Sequence, residues 1–442
     1  MTAAVVSVTL SEWQTLTPAD SPDLAGLSFD SIESRQVSTR LNESGMLRLT
    51  ELRGGIEISA FSHVGRVRVG DLHITIFPKL NTTSLLRLLR YAYGFRRLEL
   101  VSDSMQTVAQ HGFEDLLISQ LNSEVQELVV RGLQRAYLRQ DEQLASPRGR
   151  IDVSKLVRDG GNITTTLPCQ HYPRVEDTIL NRILLAGLRL AGSLTSLVQL
   201  RRESRRLASL MEERVSSTRL DGAFLDRADR QLTRLTTAYV PALSIIRILV
   251  EAQGIVLDGK RLTSSLPGFL FDMNRFFQAL LSRFLRENLP NYTVRDERGL
   301  RGMIRYNREF NPRGRQSPTP RPDYVIIHNG TICAILDAKY RDLWERSLPR
   351  EMLYQLVVYA MSQQRRPQST ILYPTLTPRA AEARIDVSDP LRGEHLGQIC
   401  LRPVDLDRLE QLVSSEMVSY QRGRAAYAQA LAFGSSDQSE MR

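Results

Sequence analysis

The sequence predicts a mixed α/β protein in three stretches. These are a β-rich N-terminal domain (residues 1–100), a mainly helical middle region (101–265) and a C-terminal α/β domain with a mixed sheet (266–430), followed by a short disordered tail (431–442). Three observations predict it. Residues 46–77 form short, partly alternating apolar runs broken by glycine, the period of strands. Residues 113–251 carry apolar side chains three and four apart, the period of helices. The last third runs helix, strands, helix, strand, the order of an α/β layer.

Taken in order, Met46–Leu52, Gly55–Phe61, Gly65–Val69 and His73–Phe77 read as strands, ended by Pro78. Asn81 then offers an N-cap to a helix carrying Leu85, Leu86, Leu88 and Leu89. Helical periodicity covers 113–138, 175–213 and 223–251, with arginine- and glutamate-rich outer faces that read as solvated surface. Residues 146–173, with Arg148-Gly149-Arg150 and the Gly160–Gly161 pair, read as irregular. An apolar helix over 268–289 leads to strands near 292–297 and 301–309. A polar, proline-containing loop follows, then two apolar strands around Asn329–Gly330. A helix at about 349–364, a strand at Ser369–Pro374 and a last helix near 404–420 complete the domain.

Composition bounds the function. The 442 residues carry a formal charge of +9, and 42% are hydrophobic, enough for a packed core and too many for a mainly disordered chain. No run approaches the roughly 18 apolar residues of a membrane span. The N-terminus lacks a basic leader before its short apolar run, so secretion is not expected. Cys169, Cys333 and Cys400 are far apart and odd in number, which fits a reducing cytoplasm rather than a disulfide framework. Of the 58 basic residues only four are lysine: Lys79, Lys155, Lys260 and Lys339. Coding bias accounts for most of this, but a retained lysine marks a place where a compact, titratable ammonium is wanted. The positive balance suits an anionic partner such as nucleic acid.

Chemistry concentrates in Asp323, Asp337 and Lys339. Asp337 and Lys339 are two apart on a strand and so share a face. Carboxylates are the oxygen ligands Mg²⁺ prefers, and a metal held there can polarise a phosphoryl oxygen and lower the pKa of its water. A neighbouring ammonium can steady that water or the developing charge. The hairpin tests the idea. A two-residue Asn329–Gly330 turn would pair Asp323 with Leu336, on the wrong face. A three-residue His328–Asn329–Gly330 connection, or another bulge, restores the shared face.

Pro322-Asp323 followed by Asp337-Ala338-Lys339 resembles the PD-(D/E)xK nuclease superfamily, and Gln355 and Tyr359 match the QxxxY signature seen in several of its branches. The resemblance implies a restriction-endonuclease-like fold for the C-terminal domain. It also implies that Asp323, Asp337 and the Ala338 carbonyl hold Mg²⁺ (Mn²⁺ substituting), while Lys339 assists the attacking water. Residues four apart share a helix face, so Gln355 and Tyr359 are catalytic-site candidates, the alternative being an ordinary half-buried face. VGRVRVGDLHITIFPKL, LLRLLRYAYG, RGRIDV, PRVEDTILNRILLAGL and FDMNRFF are similar to McrC proteins, nuclease subunits of McrBC modification-dependent restriction systems. That likeness spans most of residues 45–375. It implies an McrB-like AAA+ GTPase hexameric ring as partner, docked by the N-terminal part, and double-stranded DNA carrying modified cytosine as substrate.

One departure from the superfamily is Gln278, where many members carry a metal-supporting glutamate on the preceding helix. Consistent with a separate GTPase, no G-x-x-x-x-G-K-[ST] loop occurs; the Gly259–Lys260 pair lacks the spacing. Arg305, Arg308, Arg313, Arg315 and Arg321 lie in the densest basic band beside the site, and read either as phosphate contacts or as arginine-biased surface. The expected activity is metal-dependent endodeoxyribonuclease. The alternatives are a non-cutting adaptor that activates the GTPase, and a stand-alone nuclease.

Overall fold

The computed structural model describes residues 6–95, 113–158, 165–195, 197–252, 268–363, 367–414 and 418–434. Gly160, Gly161, Lys260 and the last residues of the expected tail lie outside them. The chain forms two compact units, one of Met1–Val64, Ile74–Gly94 and Asp272–Arg442, the other of Gly65–His73 and Phe95–Phe271.

In the second unit the expected helices shorten to Phe113–Arg131, Ile179–Leu194, Val198–Glu212, Gly222–Gln231 and Val240–Ala252. Thr178 caps Ile179–Leu194 by accepting from the Asn181 N–H. Gly187 lets that helix approach Ile246, whose Cδ1 would lie 2.4 Å from an added Cβ. The stretch expected to be irregular instead holds strands Arg150–Ile151 and Leu167–His171, which join Gln140–Leu144 in a small antiparallel sheet, and the short helix Val153–Arg158. Its strands are too short and polar to show the period-two signal.

In the first unit, Leu47–Leu52 and Gly55–Ala60 pair as an antiparallel hairpin. Asn81 caps helix Thr82–Tyr93, its side chain accepting from Ser84 N at 2.8 Å. Helix Ile32–Ser44 was not expected. Its inward face carries Ser34, Val37, Ser38 and Leu41, and the two serines mask its apolar period. The capping signals at Ser31 and Gly45 were present in the sequence.

The site-bearing sheet comprises β1 (Thr293–Asp296), β2 (Tyr324–His328), β3 (Thr331–Ala338), β4 (Gln368–Thr375), β5 (Ala383–Ser388) and β6 (His395–Asp405). Their spatial order is β1-β2-β3-β4-β6-β5. The β3–β4 and β4–β6 pairs are parallel and the rest antiparallel, so the sheet is mixed, as expected. β5 and β6 were not anticipated, and the strand expected at 301–309 is absent. Residues 297–322 connect β1 to β2 without strand structure, with Gly302 left-handed and Ile304, Tyr306 and Phe310 exposed. No neighbour buries their apolar side chains, so alternation alone does not make a strand there.

Helix α1 (Met273–Asn288) is preceded by a strand, Gly268–Asp272, where a continuous helix was expected. Asp272 caps α1, accepting from the N–H groups of Asn274 and Arg275. Phe276, Phe277, Leu280, Leu281, Phe284 and Leu285 form its buried face. Helix α2 (Arg350–Met361) supplies Leu356 and Tyr359 to a core with Ile335, Ile371, Tyr373 and Ile399. The expected last helix is two, α3 (Leu406–Ser414) and α4 (Val418–Phe433); α4 takes in residues 431–433.

Candidate active site

Asn329 and Gly330 have φ of 48° and 78°, the left-handed pair of a type I′ turn. The connection is therefore the two-residue turn, with His328 opposite Thr331. A bulge follows: Ile327 faces Ile332 but Ile326 faces Ala334, leaving Cys333 extra. From there Val325 pairs Ile335 and Tyr324 pairs Leu336, so continuing the register sets Asp323 opposite Asp337. The bulge thus performs the face correction otherwise expected of a three-residue turn.

Three side chains meet at this point. The Ala338 N–H donates to Asp323 Oδ2 at 2.7 Å. Lys339 Nζ lies 3.1 Å from Asp337 Oδ2 and 3.8 Å from Asp323 Oδ2. Asp337 is only 2% exposed, and its Oδ1 is buried without a hydrogen-bond partner. Burial, reinforced by the Asp323 charge and opposed by Lys339, pushes the Asp337 carboxyl up to about 6. Burial alone would depress the Lys339 ammonium, but Asp337 and Asp323 outweigh it and hold the ammonium above the ordinary lysine value.

Two carboxylates against one ammonium leave a buried excess of negative charge, which is costly without a counter-charge. The orphaned Asp337 Oδ1 beside Asp323 fits a divalent cation. No group of three or more His, Cys, Asp or Glu at metal-holding separation occurs among the described residues. The rest of an ion's shell would therefore have to come from main-chain oxygen or water.

The structure brings Gln355 and Tyr359 to the same place. Gln355 Nε2 donates to Tyr359 Oη at 2.6 Å. The buried phenol is raised above its ordinary pKa by burial, with Asp337 and Asp323 adding to the rise, so it sits in the field of the acidic pair. Arg305, Arg308, Arg313, Arg315 and Arg321 are exposed on the β1–β2 connection, and none forms an ion pair with a described residue. Gln278 holds the sheet through its main chain, its carbonyl accepting from Tyr324 Oη at 2.7 Å.

Gln278 and Asp323 also line a cleft of about 520 Å³ with Ser282, Arg286, Asp296 and Glu297. Sequence reasoning passed over Glu297. Its φ is 45°, uncommon for a residue with a side chain, and its N–H donates to the Asp323 carbonyl at 3.0 Å. The signal was Asp296-Glu297 at the end of a short strand, which looks like ordinary turn composition. Asp296 is occupied by Ser282 and Arg286.

Fold and site together define an α/β protein with a carboxylate–carboxylate–lysine cluster at the C-terminal end of β3, inside its mixed sheet. Residues 58–374 match the family model described as McrBC 5-methylcytosine restriction system component, and the chain belongs to that family. No curated protein matches the sequence. Among solved structures, a chain of the refined half-complex from the tetradecameric assembly of Thermococcus gammatolerans McrB AAA+ hexamers with bound McrC is similar. That match has TM-score 0.55 and 19% identity, covering 95% of this chain and 98% of the other. A chain of the cryo-EM structure of the Thermococcus gammatolerans McrBC complex matches at TM-score 0.45 and 20% identity, covering 64% of this chain and 88% of that one.

Proposed function

We propose that this chain is the Mg²⁺-dependent DNA endonuclease subunit of a GTP-dependent, McrBC-type restriction system directed at modified cytosine, built on a PD-(D/E)xK domain. The observation that carries the reading is the bulge-set opposition of Asp323 and Asp337, with Lys339 between their carboxylates and Asp337 Oδ1 left unpaired. Asp323 and Asp337 would hold the ion, with the Ala338 carbonyl as a third ligand. Bound there, Mg²⁺ supplies Lewis-acid activation of the phosphodiester and its water. Lys339 orients the attacking water and steadies charge developing on the phosphate. Tyr359, held by Gln355, fixes the wall beside Asp337. Exposed arginines on the β1–β2 connection track the backbone without reading sequence.

Family membership and the fold shared with the McrB–McrC assembly support an AAA+ GTPase hexamer as partner, whose hydrolysis this chain stimulates. No helix among the described residues is long and apolar enough to cross a membrane. The test is cleavage of modified and unmodified plasmid with Mg²⁺, comparing wild type with Asp337→Ala, each with and without the partner and GTP. Cutting that requires partner, GTP and Asp337 supports the proposal. The two-acid count at the site, with Gln278 nearby, favours one rival, a non-cutting GTPase activator. That rival predicts stimulated GTP hydrolysis with intact plasmid and no Mn²⁺ affinity dependent on Asp337.

A further inference from the structure

A second cavity, of about 100 Å³, lies in the same unit and is lined by Glu12, Trp13, Lys79, Tyr340, Asp342 and Glu345, among others. Glu12 is 2% exposed. Its Oε1 accepts from the Lys79 N–H at 2.9 Å and faces Tyr340 Oη at 3.4 Å. Its Oε2 is buried and has no hydrogen-bond partner. The Lys79 ammonium is 3.8 Å from Glu345 Oε2, both side chains being partly exposed. Three carboxylates therefore surround the cavity against one ammonium, and the most deeply buried one has an unused oxygen. An unsatisfied buried acceptor of this kind calls for a ligand or a proton.

We propose that this cavity is a binding pocket for a small organic cation, an ammonium or guanidinium head group, with Glu12 as its counter-ion and Asp342 and Glu345 supplying further negative charge. The volume is that of about three waters, the size of such a head group. A cationic N–H donor satisfies Glu12 Oε2 and forms the stronger, charge-assisted hydrogen bond. Burial pushes the Glu12 carboxyl up to about 7, against the lowering influence of Lys79 and Tyr340, so an occupant competes with a proton. Arg341 and Arg346 lie over the Trp13 ring at 5.5 and 5.7 Å and are not among the residues lining the cavity.

The position gives the pocket a reach into the acidic cluster. Tyr340 directly follows Lys339, and its N–H donates to Asn274 Oδ1 at 3.0 Å while its hydroxyl meets Glu12. An occupant that ionises Glu12 strengthens its hold on Tyr340 and stiffens the end of β3. The head group has two possible sources, a free small molecule or a Lys or Arg side chain of another protein, and the chemistry is the same.

Trp13 and Trp344 are the two tryptophans of the chain, so Trp344→Phe leaves Trp13 as an intrinsic fluorophore at the cavity. The experiment titrates this full-length variant at pH 7.5 with methylguanidinium, methylammonium and N-acetyl-arginine methylamide. A saturable Trp13 change with a midpoint below about 5 mM is expected. Glu12→Gln is expected to weaken it about ten-fold, as loss of a charge-assisted bond implies. Saturation by the capped arginine identifies a protein side chain as source, and saturation by the small cations alone identifies a free ligand. A response that never saturates, that Glu12→Gln leaves unchanged, or that tetramethylammonium reproduces overturns the proposal. Should Glu12→Gln fail to fold, the exposed Glu345→Gln carries the test, with about two- to three-fold weakening expected for a rim charge and unchanged affinity overturning it.

Discussion

Glu12 gives stability a pH dependence whose sign and size follow from its surroundings. Its carboxyl rises from the ordinary value near 4.5 to about 7 because burial outweighs the Lys79 N–H, Tyr340 and the Lys79 charge. The folded chain therefore binds this proton more tightly than the unfolded chain, and linkage makes folding less favourable as pH rises between those two values. Below 4.5 both states are protonated and ionisation costs nothing; above about 7 both are ionised and the penalty is complete. At about 1.4 kcal/mol per unit the full penalty is roughly 3 kcal/mol. Glu12→Gln keeps the acceptor for Lys79 N–H and stays neutral throughout. The variant is expected to exceed wild type in stability by roughly 3 kcal/mol at pH 8 and by less than about 1 kcal/mol at pH 5. For a unit of this size that is roughly 6–12 °C in melting temperature at pH 8. Thermal melts of both proteins across pH 5–8 read it directly. Parallel curves, or a variant that gains on acidification, would refute the burial argument.

Other expectations address the site. Asp337→Ala and Lys339→Ala should each reduce cutting by about a thousand-fold or more, with partner binding intact in a co-sedimentation assay; lost binding in a folded Lys339→Ala chain counts against cutting and partner binding residing in separate parts of the chain. Tyr359→Phe removes the hydroxyl that Gln355 holds, and should cost about 1 kcal/mol of stability with a several-fold slower single-turnover cleavage rate. Arg313→Ala with Arg315→Ala should weaken DNA binding equally on all sequences and flatten the log–log salt dependence by about two; a sequence-selective loss would contradict a phosphate-tracking role. Deleting Cys333 removes the extra residue of the bulge while keeping Ile326 opposite Ala334, so cutting should survive within about ten-fold, whereas loss of cutting in a folded deletion variant would show that bulge twist matters beyond register.

What was legible in the sequence depended on how each element is buried. Strands facing a core on one side, such as Gly55–Ala60, alternated and were visible, as was the Asn81 cap. β6 was hidden because it pairs on both sides and is buried on both faces over residues 399–402, the charged Arg402 included; burial on both faces leaves no alternating pattern. The 301–309 stretch failed in the opposite way, with strand-like spacing but nothing to bury. Asp323, Asp337 and Lys339 were readable because two carboxylates and a rare lysine stand out against apolar strands. Glu12 and Glu297 were not, since a single glutamate acquires meaning only from burial and backbone conformation, which spacing does not encode.

The hairpin shows how a local irregularity sets the chemistry. With a regular ladder, a two-residue turn and the fourteen-residue spacing between the two acids would set Asp323 against Leu336 and send Asp323 and Asp337 to opposite faces. One extra residue at Cys333 moves the partner of Asp323 by one, to Asp337, and with it Lys339 comes onto the same face. The turn itself is the form Asn-Gly favours in a hairpin, so the bulge reconciles the preferred turn with the face the acidic cluster needs. The site therefore rests on the register of one short hairpin, which the burial of Tyr324, Val325 and Ile326 opposite Ala334, Ile335 and Leu336 pins in place. A one-residue slip would exchange these side chains between two packed faces, disrupting both, and separate the two carboxylates at once, so stability and site geometry are under the same constraint.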